Sequence, residues 1–230
     1  MMKEYLTSFL SLFFPRCCMV CGRPMAKGEE CLCVCCNIKL PRTNLHKYPD
    51  NAVEQLFWGK IPIERATSYL YYRKGSDFRQ ILYRLKYRGE KQVGEIMGRY
   101  MAAELLSSGF FRDLDVVIPV PLHEKKKRTR GYNQSEWIAM GVRAITGIPI
   151  DAEAVQRIKN TETQTRKTTF QRWENVDQIF MLRHPERFEG KHILIMDDVL
   201  TTGATALACA AAFEKVRGIR ISVLTLALAE

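Results

Sequence analysis

Ile193-Leu-Ile-Met196-Asp197-Asp198-Val-Leu-Thr201-Thr202-Gly203-Ala204-Thr205 opens the stretch, running to Gly218, whose reading decides the fold. The four apolar residues Ile193 to Met196 predict a strand buried on both faces, because a parallel strand covered by helices shows an unbroken apolar run. Asp197 and Asp198 follow at its carboxyl end. Thr201 to Thr205 form a small, hydroxyl-rich turn, and Ala206 to Val216 suits a helix closed by Gly218. Such a turn presents unpaired backbone N–H groups at the positive end of a helix dipole, which makes a cradle for phosphate. Open α/β sheets bind ligands outside the carboxyl ends of their strands, and an acid pair there can accept hydrogen bonds from ribose hydroxyls. The combination points to a sugar phosphate. No Gly-x4-Gly-Lys occurs, which argues against a nucleoside triphosphatase.

The flanking segments supply the rest of an α/β domain. Strands are predicted at Thr67 to Arg73, Asp115 to Pro121, Ile179 to Leu182 and Ile219 to Ala227, the last two beside the central one. Phe78, Ile81, Leu82 and Leu85 recur at helical spacing after Ser76, and Val93, Ile96, Met97, Tyr100 and Met101 mark a second helix. Lys86 and Arg88, at the end of the first, suit capping favoured by the helix dipole at least as well as ligand binding, and are left outside the candidate site. Asn133 with Glu136 caps a helix carrying Trp137, Ile138 and Val142. Just before it stand Lys125, Lys126, Lys127, Arg128 and Arg130, either a solvated charge run or an anion site at a strand end. Arg157 to Val176, with Arg166, Lys167 and Arg172 among Thr and Gln, has the composition of a polar lid over a diphosphate. The fold expected is α/β, a mainly parallel sheet with helices on both faces.

Seven of the eight cysteines lie between Cys17 and Cys36. Cys18-Met-Val-Cys21 and Cys33-Val-Cys-Cys36 are two C-x2-C knuckles, the pattern of a structural four-thiolate Zn2+ site with no open position for substrate. Cys17, Cys31 and Cys35 offer the same chemistry nearby, so regular spacing alone selects Cys18, Cys21, Cys33 and Cys36. Residues 1–60 are assigned to an N-terminal helix, a zinc ribbon and a connector, and residues 61–230 to the main domain. Leu6, Phe9, Leu10, Phe13 and Phe14 fall on one helical face, too short and interrupted for a secretion signal or a membrane span. A cytoplasmic protein without membrane insertion is expected. At 230 residues, 47% hydrophobic and 26% charged, the chain has an ordinary soluble composition, but its net charge of +10 favours anionic partners.

Met196 to Thr205 resembles the signature of type I phosphoribosyltransferases, which bind phosphoribosyl pyrophosphate (PRPP). With Val120-Pro-Leu-His123, Arg130-Gly131-Tyr132-Asn133-Gln134 and the cysteine ribbon, the chain resembles the ComF/GntX-like branch of phosphoribosyltransferase-like proteins over nearly its whole length. The resemblance implies that Asp197 and Asp198 hold the ribose hydroxyls and serve catalysis. It implies that Thr201, Thr202, Gly203, Ala204 and Thr205 hold the 5-phosphate, and that Mg2+ enters with PRPP. It also implies a place in DNA uptake; single-stranded DNA on the basic surface, with Tyr132 or a ribbon aromatic stacking on bases, and competence-machinery proteins are the partners expected with it. Tyr132 stands where many members have Phe.

Overall fold

The computed structural model describes residues 15–158 and 179–230. The amphipathic face within residues 1–14 and most of the expected lid, with Arg166, Lys167 and Arg172, lie outside the described residues. In chain order the elements are α1 (Val34–Ile38), α2 (Ala52–Gln55), β1 (Arg65–Tyr72), α3 (Arg79–Tyr87), α4 (Gln92–Leu106) and β2 (Val116–Pro119). There follow α5 (Glu124–Arg130), α6 (Gln134–Thr146), β3 (Val155–Arg157), β4 (Phe180–Leu182), β5 (His192–Leu200), α7 (Ala204–Ala211) and β6 (Arg220–Ala229).

Four strands form the main sheet in the order β1-β6-β5-β2, every neighbouring pair parallel. β5 is central, and its side chains alternate between two cores. Leu194 and Met196 join α4 and α6 on one face, while Ile193 and Ile195 join Phe57, Phe188, α7 and Phe213 on the other. Burial on both faces is why this strand reads as an apolar run. α4 and α6 approach so closely that a Cβ on Gly141 would lie 2.0 Å from the Glu95 carbonyl oxygen, and one on Gly98 2.2 Å from that of Ile138. Only glycine fits at either position.

The expected strand at Ile179 to Leu182 does not flank the central strand. As β4 it pairs antiparallel with β3 in a separate two-stranded ribbon, and β5 is flanked instead by β6 and β2. Three residues of mixed burial, with Phe180 buried and Met181 exposed, suit such a ribbon better than a strand covered on both faces.

The cysteine segment packs directly on the α/β core. Cys18, Met19, Leu32, Cys36 and Leu40 share one apolar cluster with Tyr69, Leu70 and α4. The following stretch runs antiparallel along the outer edge of β1, where Thr43 N donates to Tyr69 O (2.9 Å) and Tyr71 N to Pro41 O (2.8 Å). That covers an otherwise open sheet edge. Arg42 pairs with Glu104 at 2.6 Å, and Arg99 pairs with Glu30, so both charged contacts join the segment to α4.

Candidate functional site

β5 extends well past the apolar run. It stays paired with β6 to Leu200↔Leu228, whereas its pairing with β2 stops at Met196↔Pro119. Val120 N makes a last bond to Met196 O (2.9 Å), and the chain then leaves for α5. Asp197 and Asp198 therefore lie within the strand rather than after it, on the stretch that has lost β2 as a neighbour. The gap is a cavity of about 260 Å³ lined by both acids, Thr201, Thr205, Ser135, Gln134, Lys86, Lys126 and Arg130.

The two acids occupy different settings. Asp197 Oδ1 accepts from Ser135 Oγ (3.0 Å) and from the Asp198 amide (2.8 Å). Burial, and next the neighbouring charge of Asp198, push the Asp197 carboxyl up to about 7; the two hydrogen bonds and Lys86 offset this only in part. Asp198 Oδ2 lies 3.0 Å from Lys86 Nζ, with both side chains largely buried. Sequence reasoning left Lys86 between helix capping and ligand binding and outside the candidate site, and the structure puts it beside Asp198 in the cavity. It misses Ser135 as well. Ser135 is aimed by the cap of α6, where Asn133 Oδ1 accepts from Ser135 N (3.2 Å) and Asn133 Nδ2 donates to Val120 O (3.0 Å). The Ser135 signal was visible only as the residue two beyond a capping Asn. For Lys86 nothing local marks it, since only the return of α3 across the strand ends brings it to Asp198.

In the loop after β5, Gly203 takes φ 78° as the N-cap of α7, a left-handed backbone that favours glycine, and Leu207 N donates to its carbonyl (2.8 Å). Gly203 is buried, while Thr201, Thr202, Ala204 and Thr205 are exposed. The loop thus offers hydroxyls and first-turn amides to an anion.

The basic run forms its own short helix, α5, which the sequence reading did not foresee. His123 Nδ1 caps it by accepting from Lys125 N (3.2 Å), and Gly131 closes it at φ 78°. Lys126 and Arg130, one turn apart, reach the cavity, and Arg130 Nη1 donates to Gln134 Oε1 (2.9 Å). Lys125, Lys127 and Arg128 are exposed. Tyr132 is half-buried against the core, its hydroxyl donating to the Leu85 carbonyl, so it is not the exposed ring that stacking on bases requires.

In the N-terminal segment the Sγ atoms of Cys18, Cys21, Cys33 and Cys36 all lie within 4.8 Å of one another. The Cys21–Cys33 separation of 3.7 Å matches the spacing of about 3.8 Å that tetrahedral zinc–thiolate bonds of roughly 2.3 Å impose. Cys17, Cys31 and Cys35 are outside this group. Burial opposes ionisation of Cys18, yet backbone amides at Cys21, Cys33 and Val20 outweigh it and lower the thiol to about 6. Burial raises Cys31 to about 12. The donor set suits a thiophilic ion such as zinc.

A parallel sheet under helices, an acid pair at the open end of its central strand and a hydroxyl-rich loop beside it define an α/β protein with an added four-cysteine cluster. It is 28% identical over 191 residues to DNA utilization protein YhgH of Escherichia coli O6:H1 (82% of this chain, 79% of that protein). It is 33% identical over 92 residues to Competence protein F of Haemophilus influenzae (40% of each). The chain is a homologue of these proteins, in keeping with the resemblance its motifs carry. No family model matches it. Among solved structures, the allosteric regulatory enzyme of purine biosynthesis aligns with 59% of this chain (TM-score 0.34, 19% identity). Leishmania donovani UMP synthase aligns with 71% (TM-score 0.35, 13% identity). The chain spans only 25% and 28% of those two chains.

Proposed function

We propose that the chain binds PRPP at the open end of β5 and transfers its phosphoribosyl group to a nitrogen acceptor. One observation carries this reading: a single cavity gathers the two carboxylates, the hydroxyl residues Thr201 and Thr205 and the cations Lys86, Lys126, Arg130 and Arg157. Asp197 and Asp198 accept from the ribose hydroxyls, and Thr201 to Thr205 take the 5-phosphate. Lys126 and Arg130 face the diphosphate. As the acceptor nitrogen attacks the anomeric carbon and the diphosphate leaves with its bonding electrons, positive charge grows on the ribose, and the acid pair stabilises it. Mg2+ entering with PRPP supplies neutralisation of the diphosphate. The Cys18, Cys21, Cys33 and Cys36 cluster holds a structural zinc, residues 1–60 and 61–230 form the two regions, and the protein works in the cytoplasm. A screen of nucleobases and amines with PRPP, following diphosphate release, tests the assignment. Release that tracks one acceptor and disappears in Asp198→Asn supports it; release independent of any acceptor, or undiminished in that variant, refutes it.

A second reading is favoured by the exposed face of α5 and by the names of the relatives: a DNA-uptake component that binds single-stranded DNA, works beside competence-machinery proteins and uses PRPP as a regulator. Lys125, Lys127 and Arg128 would pair with phosphates, so affinity would fall steeply with salt.

A further inference from the structure

α3 ends in a feature that neither core packing nor the phosphoribosyl cavity uses. Tyr83 and Tyr87, four residues apart, are 44% and 67% exposed, with ring centroids 5.6 Å apart. An arginine lies against each ring: Arg88 Cζ is 5.8 Å from the centre of Tyr83, and Arg130 Cζ is 5.6 Å from that of Tyr87. Two cavities flank the pair. One, of about 710 Å³, is lined by Tyr72, Tyr83, Tyr87, Arg79, Lys86 and Arg88 among others, and the other, of about 470 Å³, by Tyr87, Lys86, Lys125, Lys126 and Arg130 among others. They meet at Lys86 and Tyr87. Among the described residues, seven basic side chains line the two together, and no acidic one does.

We propose that a single-stranded nucleic acid lies along this face, its bases stacked on Tyr83 and Tyr87 and its phosphates on Arg88, Arg130 and α5, and that it competes with the phosphoribosyl ligand. Aromatic rings in a groove of uniform positive charge are the device by which proteins hold unpaired bases without reading sequence. A duplex keeps its bases stacked internally and offers the rings no partner. Competition follows from shared cations, because Lys86, Lys126 and Arg130 line both this groove and the cavity holding Asp197 and Asp198. Two polyanions cannot both use them. The site assignment rests on the nucleic-acid reading above, and the competition rests also on the PRPP reading.

The test uses the full chain, a fluorescent oligothymidylate of about 20 nucleotides, chosen to exceed known site sizes, and Mg2+ with PRPP. Tyr83→Ala with Tyr87→Ala should weaken oligothymidylate binding by about fivefold or more per ring, while Tyr83→Phe with Tyr87→Phe should bind as the parent does. Both variants should keep the parent's melting temperature and its PRPP-induced rise, since the rings are exposed. Unchanged affinity in the double alanine variant, or equal affinity of the parent for a duplex of the same length, would overturn the track and leave the charge of α5 as the DNA contact. No oligothymidylate binding by the parent would overturn the track and the nucleic-acid reading together, while the PRPP-induced melting shift separately judges the phosphoribosyl reading. Saturating PRPP should raise the apparent dissociation constant for oligothymidylate severalfold. An unchanged constant, or a parent that does not bind PRPP, overturns the competition.

Discussion

Asp197 carries the clearest consequence at the scale of single residues. Its carboxyl sits near 7, against about 3.9 for an aspartate in the unfolded chain. A folded-state value raised in this way contributes stability that is complete below the unfolded value and is lost as pH rises through the folded one. The parent should therefore lose stability between about pH 4 and pH 7, and Asp197→Asn should remove most of that loss. At pH 8 the variant should be the more stable, on the order of 1–4 kcal/mol, and at pH 4 the two should be nearly equal. Melting curves across this range decide it, and a variant with the parent's pH dependence would mean that Asp197 titrates normally. Lys86 makes the converse case. Lys86→Met leaves the largely buried Asp198 beside a second carboxylate without its cation, so PRPP affinity and stability should fall together.

At the scale of elements, α5 is one helix with two faces. Lys126 and Arg130 reach the cavity, and Lys125, Lys127 and Arg128 face water, so changing all the lysines at once would mix two effects. Neutralising Lys125, Lys127 and Arg128 should reduce the slope of log affinity for oligothymidylate against log salt by about 2, with the PRPP-induced melting shift retained. If the slope does not move, these three residues are not phosphate contacts. The contact of α4 with α6 is the other element-scale dependence. Gly141→Ala drives a Cβ into the Glu95 carbonyl, and the two helices must part. A loss of about 1–3 kcal/mol or more is expected in denaturant melts. Because α6 also aims Ser135 at Asp197, PRPP binding should weaken with it.

For the whole molecule, the cysteine segment and the sheet share one apolar cluster, so metal and fold should be linked over long range. Structural zinc contributes on the order of 10 kcal/mol to folding in isolated fingers. The protein purified under reducing conditions should carry one equivalent of zinc, and Cys33→Ser or Cys36→Ser should remove it and lower the melting temperature of the whole chain. Metal analysis showing none would refute the assignment. PRPP with Mg2+ at a hundred times its dissociation constant should stabilise by about 2.7 kcal/mol, or roughly 5–11 °C for a chain of this length. Ribose 5-phosphate should give less, since it leaves Lys126 and Arg130 without a diphosphate. Equal shifts would mean that those cations do not hold it.

What the sequence by itself determined is what short-range patterns encode. Unbroken apolar runs marked β2 and β5, because burial on both faces leaves no alternation. The Asp-Asp and Thr-Thr-Gly residues pointed to a candidate site at the strand end, and paired C-x2-C spacings singled out Cys18, Cys21, Cys33 and Cys36, since a knuckle is a local turn. Tertiary structure alone decided which distant residues complete these features. Lys86 and Ser135 reach the acids only because parallel strands bring their carboxyl ends together at one edge of the sheet, and the loops there come from parts of the chain far apart in sequence. The placement of β4 in a ribbon with β3 was likewise invisible, because a three-residue apolar strand carries no signal of its partner. The basic run read as one charge cluster, and only its winding into α5, held between β2 and α6, turned Lys126 and Arg130 inward and the other three toward water.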